Sequence, residues 1–316
     1  MWETVSYRRK LNTLLMAIFR AVLLLGLCYV ILLPLLNRAS TALMSMEDLY
    51  DRSVRWIPRN ATLENLKLAW EHMQYPRAFF NTFSLSLLTS VLQVAICTMV
   101  AYGLARCKFP GSNVVFALAI FTLIVPPQLI MTPIFLNFRF FSPLGLLGDK
   151  PLNLIGSYWP FVLLSLTGNG FRNGLYIFIM RQFFLGMPRE LEEAAYIDGA
   201  GVFTTFVRVM LPGSAPGLLV TFLFSFVWQW NDYLYVTMFM SGRQFLPQAL
   251  ETVGSKASLA MGRANPVAAA SGYTRAQFDS LINNSGMILT ILPLIILYIF
   301  VQRYFIEGVE RTGIVG

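Results

Sequence analysis

The sequence predicts an all-α integral membrane protein with about six spanning helices. Three observations carry this. Hydrophobic residues make up 56% of the 316-residue chain and charged residues 13%, against about 45–50% and about 25% in soluble domains. The mean hydropathy is +0.60. The apolar residues are gathered into runs that approach or exceed the roughly 20 residues a helix needs to cross the hydrocarbon layer.

Taken in order, Arg8, Arg9 and Lys10 precede the first apolar run, residues 14–36. That run is longer than the roughly 7–15 apolar residues of a signal peptide, so it reads as a retained span, which Arg20 and Pro34 also suit. A polar loop over 37–76 holds many of the acids, the single histidine His72, and Trp56, Trp70 and Tyr75. The second span, 79–104, stops at Arg106-Cys107-Lys108, with Pro110-Gly111 as a tight turn. The third, 114–138, is interrupted by Pro126, Pro127 and Pro133. Proline at membrane depth frees carbonyls, which is tolerated where a helix faces protein or a water-filled cavity, so the prolines mark either a kink or a cavity wall. The fourth span, 154–184, contains Gly168-Asn169-Gly170-Phe171-Arg172-Asn173-Gly174, which is either a break or a polar inner face. The fifth, 216–240, begins among prolines suited to a helix start and ends near Trp228, Trp230, Asn231, Asp232 and Tyr233. A loop rich in small and polar residues, 241–285, is either a flexible linker or a docking surface outside the membrane. It precedes the sixth span, 286–305.

One segment breaks the pattern. Residues 189–212 begin with Arg189, Glu190, Glu192, Glu193 and Asp198; at roughly 3 kcal/mol each, inserting all five would cost about 15 kcal/mol. The segment is therefore expected in water. It ends in an apolar helical tail, Val202, Phe203, Phe206, Val207 and Met210, closed by Leu211-Pro212. Such a piece between two spans reads as a docking element.

Several functions are excluded by what the inventory lacks. The formal charge of +8 is scattered over loops and forms no basic face interleaved with aromatics, which argues against nucleic acid. Cys28, Cys97 and Cys107 with one histidine give neither a disulfide framework nor metal spacing. Of the sixteen Asp and Glu, only Asp232 falls within a predicted span, whereas proton-driven carriers carry ionisable groups inside the bundle. Gly254-Ser255-Lys256 lacks the spacing of a phosphate loop. A membrane enzyme would need a catalytic cluster that is missing, and a scaffold has no use for the charged segment's spacing. Any energy must come from another subunit.

Charge sets the orientation. Counted near the helix ends, Arg8, Arg9 and Lys10 outweigh Arg38, Arg106 and Lys108 outweigh Arg77, and Arg181 with Arg189 outweighs Lys150. Both termini are expected inside.

The charged segment also carries a resemblance. Glu193-Ala194-Ala195, Asp198-Gly199-Ala200 and Leu211-Pro212 resemble the EAA motif of permease subunits in binding-protein-dependent ABC importers. Val209 stands where isoleucine is usual. Asn81-Thr82, Ala101 to Arg106, Pro126 and Pro133, Met180 to Phe184, Trp230 to Tyr233 and Gln302 to Phe305 resemble the carbohydrate-uptake branch, similar to the smaller maltose-type membrane subunit.

The resemblance implies a type I ABC importer permease fold in a bacterial cytoplasmic membrane, with residues 187–212 as a cytoplasmic coupling helix. It implies a second homologous permease, two ATP-binding subunits that bind ATP and magnesium, and an extracytoplasmic solute-binding protein. The chain itself would hold no cofactor and no ATPase site, and would translocate a carbohydrate, an oligosaccharide above all, by alternating access. Peptides, amino acids and phosphodiesters are the alternative cargoes. Coupling residues would be Glu190, Glu193, Ala194, Ala195, Asp198, Gly199, Ala200, Leu211 and Pro212. Tyr158, Trp159, Phe171, Arg172, Asn173 and Tyr176 offer aromatic faces and donors suited to sugar. Trp230, Asn231 and Asp232 are either substrate-facing or a helix end in an aromatic belt. Arg172 also permits an anionic, uronate-like oligosaccharide.

Overall fold

The computed structural model of the chain describes residues 2–51, 53–54, 56–107, 109–143, 151–264 and 275–313. These residues are almost entirely helical, with one antiparallel bridge between Phe141 and Leu152 as an extended pairing. The helices are α1 (Trp2–Leu43), α2 (Met46–Tyr50), α3 (Glu64–His72), α4 (Tyr75–Arg106), α5 (Ser112–Phe121), α6 (Pro127–Arg139), α7 (Trp159–Leu166) and α8 (Asn173–Gly186). They continue as α9 (Glu190–Ile197), α10 (Val202–Thr205), a π-turn over Phe206–Met210, α11 (Leu211–Gly213), α12 (Ala215–Trp230), α13 (Leu234–Phe239), α14 (Leu246–Ala264) and α15 (Arg275–Gly313).

The chain forms two compact units. One comprises Met1–Met73 with Leu250–Ile291. Its first helix is apolar along the predicted first span, and no part of its most hydrophobic stretch is buried. Packing begins at the C-terminal end of α1, where the Asn65 amide donates to the carbonyls of Ala42 and Met44 at 3.1 and 2.8 Å. Arg38 donates to Asn284 Oδ1 at 2.7 Å. The Gly254 amide donates to Asn283 Oδ1 at 3.0 Å, a close approach of α14 to α15 that a side chain at 254 would block. The predicted polar loop is ordered by its acids. Asp48 accepts from the Asn60 amide at 2.9 Å, and Asp51 accepts from Ser53 and pairs with Arg59 at 3.0 Å. The Ser53 hydroxyl and amide, with a lesser part from Arg59, hold the Asp51 carboxyl below its ordinary value. His72 closes α3.

The other unit comprises Gln74–Ala249 with Leu292–Gly316, and α4 is its axis. At about 1.5 Å per residue, its 32 residues span about 48 Å, more than the roughly 30 Å of hydrocarbon, so its Arg106 end has length to project from the membrane. α4 packs on α7, α8 and α12. The contact face is not a leucine stripe. Ala78, Thr82, Ser86, Ser90, Gln93, Cys97 and Ala101 recur every three or four residues, and all are buried. Lipid gives apolar side chains little reason to leave it, so helices in a bilayer associate through small residues and buried hydrogen bonds. Ser225 on α12 accordingly donates to Gln93 Oε1 at 2.5 Å.

Among the described residues three helices are long and apolar enough to cross a membrane, Asn12–Leu43, Tyr75–Arg106 and Arg275–Arg303. A bent pair, Val202–Gly213 and Ala215–Trp230, passes the same test jointly with a 77° bend. The third predicted span is α5 and α6, parted by residues 122–126 at the expected prolines. The fourth is broken into α7 and α8, which decides between the two readings of its glycines. The break is also tied to α4: Gln93 Nε2 reaches the Phe171 carbonyl within it at 3.5 Å, and the Cys97 thiol reaches the Asn173 carbonyl in the first turn of α8 at 3.8 Å.

The stretch 241–285 is not a plain loop, because it holds α14 and the start of α15. Leu246, Ala249, Val253 and Ala257 are buried at helical spacing. Residues 265–274, and the Lys108 and Lys150 of the charge reading, lie outside the described residues.

Gly174 is where two broken spans meet. A Cβ there would overlap the Ala119 carbonyl oxygen of α5 and lie 3.0 Å from Thr122 Oγ1. Gly174→Ala is expected to cost about 1–3 kcal/mol, seen as a lower unfolding midpoint in detergent. Gly186→Ala, which meets open space, should leave the midpoint in place.

Candidate functional site

The charged segment folds as two short helical pieces about a glycine. α9 carries Glu190, Glu192 and Glu193 in its first turn, where carboxylates suit the positive end of the helix. Arg189 is the N-cap, and Pro188 stands just before the helix. The helix ends at Asp198, and Gly199 has φ +80°, a left-handed conformation that glycine takes without penalty. Its amide bonds the Tyr196 carbonyl at 3.0 Å, and the Ala200 amide bonds that of Ala195 at 2.9 Å, closing the helix.

The second piece contains a π-turn with a visible cause. Pro212 lacks an N–H, and its ring in a regular helix would meet the carbonyl four residues back, that of Arg208. The chain widens ahead of it, and the Leu211 amide bonds the Phe206 carbonyl five residues earlier. Leu211-Pro212 thus shapes the segment's exit into α12.

The segment has two faces. Glu192, Ala195, Thr205, Phe206 and Met210 are buried. Glu190, Glu193, Ala194 and Asp198 are exposed, beside Ile197 at 86% and Phe203 at 69% exposure. Glu192 departs from the expectation that all five charges sit in water. Its carboxylate accepts from Tyr102 OH at 2.8 Å and pairs with Arg106 at 3.3 Å. Arg106 also donates to the carbonyls of Phe184 and Met187 at 2.6 and 2.5 Å, at the end of α8. The Tyr102 ring lies 5.4 Å from Phe184 and 4.9 Å from Phe206. Beside this cluster a cavity of about 710 Å³ is lined by Phe109, Ser112, Arg189, Glu193 and Tyr196, among others.

A second cavity, of about 700 Å³, opens where the broken spans meet. Pro127, Pro133, Asn137, Asn169, Phe171, Arg172 and Tyr235 contribute to its wall. Arg172 has φ +62°, and its guanidinium carbon lies 2.9 Å from the Trp228 ring centroid and 5.0 Å from that of Phe171, a cation resting on aromatic faces.

Residues 93–311 match the family described as binding-protein-dependent transport system inner membrane component. The chain belongs to that family. The permease is 30% identical over 244 residues to the arabinooligosaccharides transport system permease protein AraQ of Bacillus subtilis, covering 77% of this chain and 74% of that one. It is 28% identical over 287 residues to the trehalose transport system permease protein SugB of Mycobacterium tuberculosis, covering 90% and 93%. Its fold resembles a chain in the crystal structure of a bacterial ABC transporter involved in the import of the acidic polysaccharide alginate, with TM-score 0.64, 24% identity, and coverage of 92% and 96%.

Of the permease's candidate substrate residues, the structure brings Phe171 and Arg172 together at the 700 Å³ cavity and leaves others elsewhere. Tyr158 lies against Ser84 and Arg243, at 3.2 Å between hydroxyls and 5.1 Å from ring to guanidinium. Trp159 is exposed, and Tyr176 is packed in the core with Cys97 and Met180. Asn173 is 2% exposed. Trp230 is buried, with ring centroids 5.7 Å from both Phe79, which it meets edge-on, and Phe226, to which it is tilted. Asn231 bonds the Val227 carbonyl at 2.8 Å, while Asp232 accepts from the Tyr235 amide at 3.1 Å and so caps α13. Sequence reasoning passed over Asn137 and Tyr235 at the cavity, the seat that Trp228 gives Arg172, and the Glu192 cluster beside the coupling face. Tyr102 and Arg106 one helical turn apart, at the end of a span, were the available signal for that cluster.

Neighbouring glutamates should therefore behave differently. Glu192→Ala leaves a buried guanidinium without its counter-charge and should cost about 3–5 kcal/mol; Glu193→Ala, on the exposed face, should stay within about 0.5 kcal/mol. Unfolding midpoints of the purified variants check both.

Proposed function

We propose that this permease is one of two membrane subunits of an ATP-driven importer for carbohydrate, with an oligosaccharide as cargo. The observation that carries the reading is the two-faced segment at residues 187–212. One face is fixed to the membrane helices through Glu192 and Phe206. The other presents Glu190, Glu193, Ala194 and Asp198 beside exposed Ile197 and Phe203, an acidic rim around apolar side chains of the kind that mates with another protein. A separate ATP-binding subunit docks there, with both termini on the same cytoplasmic side. Nucleotide-driven closure of two such subunits is the energy source, and alternating access the mechanism. Gly199 gives the segment its bend, and Ala194 and Ala195 allow the docked subunit to approach closely.

The carbohydrate reading draws support from the relatives, AraQ and SugB, whose names specify arabinooligosaccharides and trehalose. The 700 Å³ cavity supports it chemically, since it offers the aromatic faces of Phe171 and Tyr235 with the amides of Asn137 and Asn169. The family's description as binding-protein-dependent supports delivery by a solute-binding protein, which we place outside the membrane.

Two measurements test this. In proteoliposomes holding the complete complex, loaded binding protein should drive ATP-dependent accumulation of an oligosaccharide, and Glu193→Lys should abolish co-purification of the ATPase subunit. Accumulation of peptides or phosphodiesters instead would overturn the carbohydrate reading, and normal association in Glu193→Lys would overturn the docking face. The position of Arg172 favours an acidic sugar as a second reading. A lost guanidinium–carboxylate contact is expected to lower uptake of uronate oligosaccharides about tenfold in Arg172→Ala without affecting neutral ones. Unchanged uptake of both would remove that reading.

A further inference from the structure

Arg106 joins three pieces of chain. It ends α4, accepts Glu192 of α9 as its counter-ion, and donates twice to carbonyls at the end of α8. Tyr102, one turn earlier on the same face of α4, bonds the other oxygen of Glu192 and rests its ring on Phe184 and Phe206. Both halves of the charged segment are thus gripped by the last turn of one long membrane helix. The side chains of Arg106 and Glu192 are 7% and 10% exposed, so solvent does little to screen the pair.

The grip is also incomplete. The ion pair runs through a single nitrogen, Nη1, and the buried Nε of Arg106 has no hydrogen-bond partner among the described residues. Guanidinium and carboxylate pair most strongly through two parallel bonds. A two-pronged pairing that uses Nε also needs Nη2 beside it, and Nη2 is held by the Phe184 and Met187 carbonyls, so Glu192 would gain that pairing only as those carbonyls are released. The hold on α8 and a two-pronged hold on Glu192 thus exclude one another, the kind of alternative that a transmitting element requires.

We propose that Tyr102 and Arg106 are positioning residues that transmit movement of the coupling segment to α4 by re-pairing with Glu192, and are not merely its anchor. This rests on the importer reading above. Motion imposed on the exposed face of α9 reaches α4 through the carboxylate and reaches α8 through the two carbonyl bonds. α4 carries Gln93, which bonds the α7–α8 break at the Phe171 carbonyl, so the same helix connects the clamp to the wall of the 700 Å³ cavity.

The test separates holding from transmitting. Replacing both members of a buried ion pair by apolar residues of similar volume is often neutral for stability, whereas removing one is not. The Arg106→Met/Glu192→Met double variant is therefore expected to assemble with its ATPase subunits at wild-type yield. In proteoliposomes its sugar transported per ATP, and its stimulation of hydrolysis by loaded binding protein, should each fall at least about fivefold. Tyr102→Phe, which deletes one hydroxyl, should lower the same ratio about two- to fivefold, the scale of one hydrogen bond.

A double variant with the wild-type ratio would overturn the proposal and leave the pair an anchor. If the double variant does not assemble, Tyr102→Phe decides, and a wild-type ratio there overturns the proposal equally. A wild-type complex lacking any stimulated hydrolysis would overturn the importer reading and the clamp with it.

Discussion

A buried guanidinium at the end of a membrane helix constrains much of what surrounds it. Arg106 is withdrawn from water, and its charge has to be met by Glu192 and by carbonyls at the end of α8. Meeting it fixes the rotation of α9, because only one face of that helix bears Glu192 and Ala195. Once that face is committed, Glu190, Glu193, Ala194 and Asp198 have nowhere to go but outward. The exposed surface on which the functional reading rests is therefore a consequence of how one charge is neutralised.

Above the clamp a different rule governs. In lipid the contacts of α4 with α8 and α12 are made by small and hydroxylated residues that approach closely and exchange hydrogen bonds. The same rule permits the two broken spans. The break of the fourth span is tied to α4 by Gln93 and Cys97, and the two broken spans come together where Gly174 lies against the Ala119 carbonyl. Irregular backbone at such depth is tolerated where it borders a cavity, and a cavity is what these breaks border.

Much of this was legible in the residues. The long apolar runs of the first, second and sixth spans and the prolines that part the third follow from local chemistry, and the structure has the corresponding features. What escaped was non-local or weakly patterned. The helix over Leu246–Ala264 hides behind a small and polar composition, although its buried residues keep helical spacing. Glu192 looked like its neighbours because four adjacent charges read alike in sequence, and only the end of a helix some ninety positions away distinguishes it. Trp230 and Asp232 carried polar and aromatic groups that suggested a ligand, yet one fills an aromatic cluster and the other caps α13. Aromatic and acidic residues serve packing and capping as readily as binding, so type alone could not separate them.

Everything proposed for the charged segment requires a separate ATP-binding subunit on the outer face of α9. Placing a photoreactive phenylalanine analogue at Ile197, 86% exposed on that face, and at Val115, an exposed site on α5, measures this in the assembled complex. A cross-link from position 197 to the ATP-binding subunit is expected, with a yield that changes on adding ATP, and none from position 115. Absence of that cross-link from position 197 in a complex that transports would contradict it.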